Sequence, residues 1–301
     1  MRTLTSGVLL CYGLAALVAL GLAAQATSKP QQQSPFQAPF TVEKIRGNIY
    51  MAKGGFGANT GFFIGDKGVL CIDAKMSAEA AKQEVAAIAK LTALPITTMV
   101  LTHSDLDHVN GLNGFPQGIK IIAHEQAKAD MVKAFGEPKL QPLQAFLPNQ
   151  TFTDKLVLDF GGETIQLLHF GPAHTNGDVV IFFPKEKVAF IGDLAFIGRD
   201  PLIHLQKGGS SFGLDKNLAE ILKLDADVLI SGHSDPINKT QIREIMKSIE
   251  DKQARVKALV DQGKSLEEVK AAFNIKDETI PGVTSWPSLP EVIYWELTIK
   301  K

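Results

Sequence analysis

The sequence comprises 301 residues, with 31 lysines and arginines against 32 aspartates and glutamates, so its formal net charge is −1. This balance argues against an overall basic surface for nucleic acid. With 45% hydrophobic and 21% charged residues the chain can bury a large core, and its two cysteines exclude a disulfide framework.

The first 26 residues have the pattern of an export signal. Arg2 supplies a short positive start, an apolar run follows, and Ala24-Gln25-Ala26 offers small residues for cleavage after Ala26. An uncleaved membrane anchor is the alternative, because the run is nearly long enough to span a bilayer. We expect a cleaved signal and an exported, periplasmic protein, with a membrane as partner only if the signal is retained.

A polar spacer is predicted over residues 27–40, and one domain over residues 41–301. The predicted strands, in chain order, are Val42–Arg46, Asn48–Lys53, Gly61–Ile64, Val69–Asp73, Thr97–Thr102, Ile119–Ala123, Lys155–Asp159, Thr164–Phe170, Asp178–Phe183, Val188–Ile191 and Val228–Ser231. The predicted helices are Ser77–Leu91, Glu125–Phe135, Asp215–Leu224, Thr240–Gln262 and Ser265–Phe273. A loop is expected over 136–150 and a Trp/Pro-rich tail at the end. Strands followed by strand–helix alternation occur once in each half, which favours mixed sheets covered by helices.

The chemistry-bearing residues follow these strands. Residues 102–108, Thr-His-Ser-Asp-Leu-Asp-His, place two histidines and two aspartates in a loop directly after an apolar strand. His174 comes just beyond another strand, and Asp193 and His233 each follow one. Imidazole and carboxylate are ligands for zinc and similar divalent ions, so the set predicts a metal site on a rigid scaffold.

This pattern resembles the metallo-β-lactamase superfamily, whose order is an aspartate after a strand, H-x-H-x-D-H, a later histidine, a later aspartate or cysteine, and a final Gly-His. The resemblance covers about residues 42–238. It implies an α/β fold in which a four-layer αββα sandwich places two mixed sheets between helix layers, with a C-terminal helical extension here. The metals are then expected at one edge of the sheets.

The resemblance also implies residue roles. His103 and His174 would bind the first metal, Asp107, His108 and His233 the second, and Asp193 would bridge them. Asp73 matches a position that orders the site loops. A metal-bridging hydroxide would attack the substrate, and Asp107 would orient it and manage its proton. Two divalent ions are expected, zinc first, with iron or manganese as alternatives.

Asp105 departs from the pattern, because it stands where the family has the second histidine. One interpretation is that its carboxylate binds the first metal and lowers the net charge of the site by one relative to histidine. The other is that Asp105 is too short to reach, which leaves the first site weak. Oxygen ligation also favours iron or manganese.

Other candidates are weaker. Residues 54–57, Gly-Gly-Phe-Gly, are either a mobile flap or an ordinary glycine loop. His204 lies where the family places substrate-pocket residues, although an ordinary loop histidine has the same pattern. His124 and His169 match no motif and are assigned to structure.

The expected function is hydrolysis of an ester, lactone, thioester or β-lactam bond in a small molecule, with no protein partner evident. Two residues argue against a β-lactam substrate. Asp193 stands where one lactamase class has a metal-binding cysteine, and Phe196 stands where the same class has a substrate-binding lysine. The alternatives are an iron-dependent redox enzyme on the same fold and a non-catalytic metal-binding accessory protein.

Overall fold

The computed structural model describes residues 39–276 and 286–299. Its first sheet has seven strands in chain order, of which β1 to β4 form an antiparallel meander and β4 to β7 run parallel. The strands are β1 Thr41–Arg46, β2 Ile49–Lys53, β3 Thr60–Ile64, β4 Val69–Ile72, β5 Ile96–Val100, β6 Lys120–His124 and β7 Gln150–Phe152.

The second sheet has five strands in the order β12-β11-β10-β9-β8. Strands β8 to β11 are antiparallel, and β12 pairs parallel to β11. The strands are β8 Lys155–Phe160, β9 Glu163–Leu168, β10 Val180–Phe183, β11 Val188–Gly192 and β12 Val228–Ser231.

Three apolar cores hold the layers together. The inner core lies between the sheets, with Leu70 and Val100 from one and Ile181 and Phe190 from the other. A second core joins the outer face of the first sheet to α1 and α3, and a third joins the second sheet to α4, α5 and α7. The helices are α1 Ala78–Leu91, α2 Leu106–Val109, α3 Glu125–Ala134, α4 Ser211–Lys223, α5 Lys239–Asp261, α6 Leu266–Ala272 and α7 Leu289–Thr298. Two mixed sheets flanked by helices form the expected αββα sandwich.

The main differences from the sequence expectations lie in the turns and the tail. The expected loop 136–150 contains a 3₁₀ turn, Gln141–Phe146, and ends in β7. The Trp/Pro-rich tail, for which no helix bounds are predicted, carries α7, which begins with a proline in its first turn and a capping box between Ser288 and Glu291. Helix α4 begins four residues earlier than predicted, because Ser210 caps it.

The predicted signal and most of the predicted spacer lie outside the described residues. Within the described ranges, no helix is both long and apolar enough to cross a membrane.

Glu84, on α1, is a charged residue in the core under the first sheet and is fully buried. Its Oε2 accepts a hydrogen bond from Thr60 Oγ1 at 2.6 Å, while its Oε1 has no hydrogen bond. Burial raises the pKa of Glu84 to about 7, although the nearby charge of Lys75 works in the opposite direction.

We predict that Glu84→Gln changes the pH dependence of stability. Between pH 4.5 and 7 the folded chain keeps the Glu84 proton that the unfolded chain loses. The parent therefore loses stability relative to the variant as the pH rises, by at most about 1.4 kcal/mol per pH unit. Urea denaturation of the metal-free proteins across this range measures the difference. The exposed Glu137→Gln is the control; equal pH profiles for Glu84→Gln and the parent would contradict the prediction.

Candidate metal centre

Five strands deliver acidic and imidazole side chains to one edge of the sandwich. Asp73 follows β4 and His103 follows β5 in the first sheet, while Asp193 and His233 follow β11 and β12 in the second. His174 lies in the connection between β9 and β10. Strands β4 and β5 are parallel neighbours in the first sheet, and β11 and β12 are parallel neighbours in the second. The carboxyl ends of each pair therefore lie side by side, and the residues that follow them come together at one edge of the sandwich.

Asp73 connects the two halves of the H-x-D-x-D-H segment. Its Oδ1 accepts a hydrogen bond from the backbone N–H of Thr102 at 2.8 Å, and its Oδ2 accepts one from Thr102 Oγ1 at 2.7 Å. The same Oδ2 lies 2.8 Å from His108 Nδ1. Asp73 therefore fixes the orientation of the His108 ring and leaves its Nε2 facing the centre of the site.

His103, Asp105 and His174 form a first group, whose donor atoms lie within 4.8 Å of one another. Asp105 Oδ2 is 3.1 Å from His174 Nε2 and 3.8 Å from His103 Nε2. Each histidine is held through its other nitrogen, His103 Nδ1 by Thr102 Oγ1 at 2.9 Å and His174 Nδ1 by the carbonyl of Leu202 at 2.7 Å. Asp105 thus turns one oxygen toward both histidines.

Asp107, His108 and His233 form a second group within the same 4.8 Å limit. His233 Nε2 lies 3.1 Å from Asp107 Oδ2, and His108 Nε2 lies 3.9 Å from that oxygen. Asp107 and His233 are about one quarter exposed, whereas His108 is fully buried. A substrate can therefore approach this group from the side of Asp107 and His233.

Asp193 stands between the two groups. Its Oδ1 is 3.2 Å from His108 Nε2 and its Oδ2 is 3.1 Å from His233 Nε2. It also forms a third donor group with His103 and His108. Gly232 permits this approach, since a Cβ at that position would collide with Asp193 Oδ1. Asp193 therefore lies within ligand distance of His103 from the first group and of His108 from the second, as the expected bridging role requires.

The donor atoms fit a cation. Among the described residues, six buried side-chain polar atoms lack a hydrogen bond, and three are His103 Nε2, His108 Nε2 and Asp193 Oδ1. His108 Nε2 and Asp193 Oδ1 lie 3.2 Å apart, but none of the three atoms has a hydrogen bond, so each is free to bind a cation. Imidazole nitrogens and carboxylate oxygens in these numbers suit zinc and other divalent ions.

The electrostatics of the chain alone show what a bound cation would replace. Burial would lower the pKa of His174, but its hydrogen bond to Asp105 raises the pKa to about 9. Burial also opposes charge on His233, yet Asp107 and Asp193 raise its pKa to about 9. These imidazoles hold protons at neutral pH, and a metal must displace them to bind.

The glycine-rich loop before β3 is held in place by a buried lysine. Lys75 is fully buried, and its Nζ donates hydrogen bonds to the carbonyls of Ala52, Gly54 and Ala58 at 2.8–3.1 Å. Because all three ammonium protons have an acceptor, the lysine fixes the loop from beneath.

The same loop contacts the metal-site backbone. The N–H of Ala58 donates to the carbonyl of Asp107 at 3.1 Å, and the N–H of Asn59 donates to that of Gly232 at 2.7 Å. A Cβ at Gly57 would clash with the backbone of Met76. The structure therefore favours an anchored loop over a mobile flap, and the loop supports Asp107 and His233.

Three further residues lie near the first group, and the sequence pattern points to only one of them, His204, as a substrate-pocket candidate. His204 is buried, and its Nε2 lies 2.8 Å from Asp105 Oδ2, although the contact is poorly aligned for a hydrogen bond. Trp286 packs edge-on against His204 at 4.6 Å. Lys207 Nζ lies 2.6 Å from Asp105 Oδ1. His204 and Lys207 share one loop that is about 100 residues from Asp105 along the chain, and Trp286 is farther still, so no local spacing in the sequence indicates these contacts.

The other singled-out residues lie beside the site or away from it. Phe196 is buried and stacks on His233 at 5.7 Å. His124 and His169 stack on each other at 3.9 Å and belong to none of the three donor groups.

The sequence model of the metallo-beta-lactamase superfamily matches residues 54–233, which include the donor residues described above. The chain belongs to this superfamily. Membership implies divalent metal binding, and the donor groups at the sheet edge provide the place for it.

Two relatives and one solved structure illustrate the match. The chain is 25% identical over 208 residues to the 2,4-dinitroanisole O-demethylase subunit alpha of Nocardioides sp. (strain JS1661), covering 68% of this chain and 61% of the relative. It is 24% identical over 275 residues to a metallo-beta-lactamase type 2 of Elizabethkingia meningoseptica, covering 86% and 99%. A sec-alkylsulfatase structure from Pseudomonas sp. superposes with a TM-score of 0.71 at 17% identity, covering 86% of this chain and 50% of that one.

We predict that two substitutions separate the roles of the two groups. Asp193→Ala should weaken both metals, because Asp193 contacts His108 and His233 and lies within 4.8 Å of the donor atom of His103, whereas His174→Ala should mainly empty the first. Metal content after dialysis, measured by elemental analysis, tests this. His169→Ala is the control and should retain both metals. Loss of the same single metal in both variants would contradict the assignment of Asp193 as a bridge.

Proposed function

We propose that this protein is an exported, dinuclear, zinc-dependent hydrolase that cleaves an ester, lactone, thioester or β-lactam bond in a small molecule. The proposal that it is exported depends on the predicted signal in residues 1–26. The proposed metal ligands are His103, Asp105 and His174 for one ion and Asp107, His108 and His233 for the other, with Asp193 between them.

The observation that carries the proposal is the convergence of unpaired donors around Asp193. His103 Nε2 and His108 Nε2 are buried, lack hydrogen bonds and face the same carboxylate. In an ordinary core, buried polar atoms of this kind have hydrogen-bond partners within the protein. A pair of cations would satisfy them here.

The protein residues have defined tasks. Divalent ions, when bound, would polarise the scissile bond and lower the pKa of a water toward neutrality. Burial works to raise the pKa of Asp107, but His108 and His233 hold it below its usual value. Asp107 is therefore ionised at neutral pH, and its partly exposed carboxylate is the group that we propose accepts a proton from the attacking water.

The surroundings favour a substrate with an apolar organic part. Leu106, between two proposed ligands, and Ile197, next to Phe196, are 37% and 46% exposed, and Trp286, packed on His204, is 48% exposed. Phe196 puts an aromatic ring where the resemblance places a lactam-binding lysine. The names of the relatives, an O-demethylase, a β-lactamase and an alkylsulfatase, cover several leaving groups, which supports hydrolysis more than any one substrate.

We predict hydrolysis in a panel containing 4-nitrophenyl esters of increasing acyl length, a lactone, a thioester, an alkyl sulfate and a chromogenic cephalosporin. Activity should disappear with a chelator and return with zinc. Asp107→Asn should lower kcat/KM by roughly 100-fold or more, because it removes the proton acceptor. The exposed Asp159→Asn, on β8, is the matched control and should leave kcat/KM unchanged.

The outcome also separates the alternatives. Two bound metals without turnover on any substrate would contradict the hydrolase and support a metal-binding accessory protein. Iron in protein prepared without added metal, with an absorption band that changes on reduction, would support the redox enzyme instead.

We predict that the protein from the periplasmic fraction begins at Thr27, since Ala24-Gln25-Ala26 provides the cleavage pattern. Intact-mass measurement of the purified protein tests this directly. A full-length species confined to the membrane fraction would show that the segment is an anchor.

A further inference from the structure

The two oxygens of Asp105 face different partners. Oδ2 faces the imidazoles, at 3.1 Å from His174 Nε2 and 2.8 Å from His204 Nε2. Oδ1 faces Lys207 Nζ at 2.6 Å. The carboxylate is therefore divided between a donor cluster on one side and an ammonium group on the other.

Lys207 is held where it can keep this orientation. Its backbone N–H donates to the carbonyl of His204 at 2.9 Å, and its own carbonyl accepts from the N–H of Asn176 at 2.9 Å. Its Nζ also donates to Ser104 Oγ at 3.2 Å. The lysine therefore links the loop that carries Asp105 to the loop that carries His174.

This ion pair differs from the ordinary surface pairs of the chain. The side chains of Lys207 and Asp105 are 26% and 13% exposed, whereas those of Lys247 and Asp251 on α5 are 74% and 66% exposed. Exposed pairs of the second kind contribute about 0–1 kcal/mol because water screens them. A pair as enclosed as Lys207–Asp105 interacts more strongly, since less water lies around it.

The pair also changes the charge of the site. An aspartate brings one negative charge that a histidine at position 105 would not bring, which by itself would make the site less positive. The ammonium of Lys207 cancels this charge at 2.6 Å. Lys207 and Asp105 together therefore carry the same net charge as one neutral histidine.

We propose that Lys207 is a positioning residue that works with Asp105 as one unit. It binds Oδ1, keeps Oδ2 turned toward His103 and His174 for the first metal, and neutralises the charge of the aspartate. The inference rests on the proposed metal site and concerns how this chain replaces the usual histidine of its superfamily.

A double-mutant cycle on zinc affinity tests the unit. Lys207→Met in the parent should weaken the first zinc by about 10-fold or more, as loss of a group that orients a ligand typically does. In the Asp105→His background, the same Lys207→Met change should strengthen the first zinc, because it removes an ammonium beside the cation that no longer faces a carboxylate at position 105. The measurement is competition with a chromophoric chelator in the four proteins.

Two further variants separate this role from general stability. Lys207→Arg keeps a cation and should retain the parent affinity and the visible spectrum of the cobalt-substituted protein, whereas Lys207→Met should change that spectrum. Lys247→Met, which breaks an exposed pair, should change neither.

An effect of Lys207→Met with the same sign in both backgrounds would overturn the inference and leave the hydrolase proposal intact. A parent that binds no zinc would overturn the proposed function itself.

Discussion

The structure depends most on the buried histidine and aspartate side chains that meet at one edge of the two sheets. His103, His108 and Asp193 are almost completely buried and each directs an unpaired atom toward the others. Histidines and aspartates in this arrangement need either protons or cations between them. In the chain alone, the neighbouring aspartates raise the pKa values of His174 and His233, whereas burial lowers the pKa of His103. Divalent ions would bind the imidazole nitrogens and carboxylate oxygens directly, and the fold holds these atoms close enough together for such binding.

The scaffold around the edge is correspondingly rigid. Asp73 fixes the backbone of Thr102 and the ring of His108, so one side chain orients both ends of the donor segment. Lys75 uses all three ammonium protons to hold the glycine-rich loop, and that loop in turn binds the backbone of Asp107. Neither Asp73 nor Lys75 belongs to a donor group, but the donor geometry depends on them.

The sequence predicts most of the fold because strand periodicity and helix caps are local signals. Ser77, for example, caps α1 where the pattern places it. The donor residues are also predictable, because each follows an apolar strand and their order is that of a known superfamily. The missed features depend on long-range contacts. Lys207 is 102 positions from Asp105, and the partners of Lys75 are backbone carbonyls, which no side-chain pattern encodes. Helix α7 was missed because tryptophan and prolines obscure its start.

We propose that two cations bind at this edge, one in each donor group. Anomalous diffraction at the zinc edge, from crystals grown with excess zinc, measures this directly. We expect two peaks, with donors at about 2.0–2.3 Å. One peak should lie among His103, Asp105 and His174, and the other among Asp107, His108 and His233. A single peak, or a first peak without Asp105 in contact, would contradict the account.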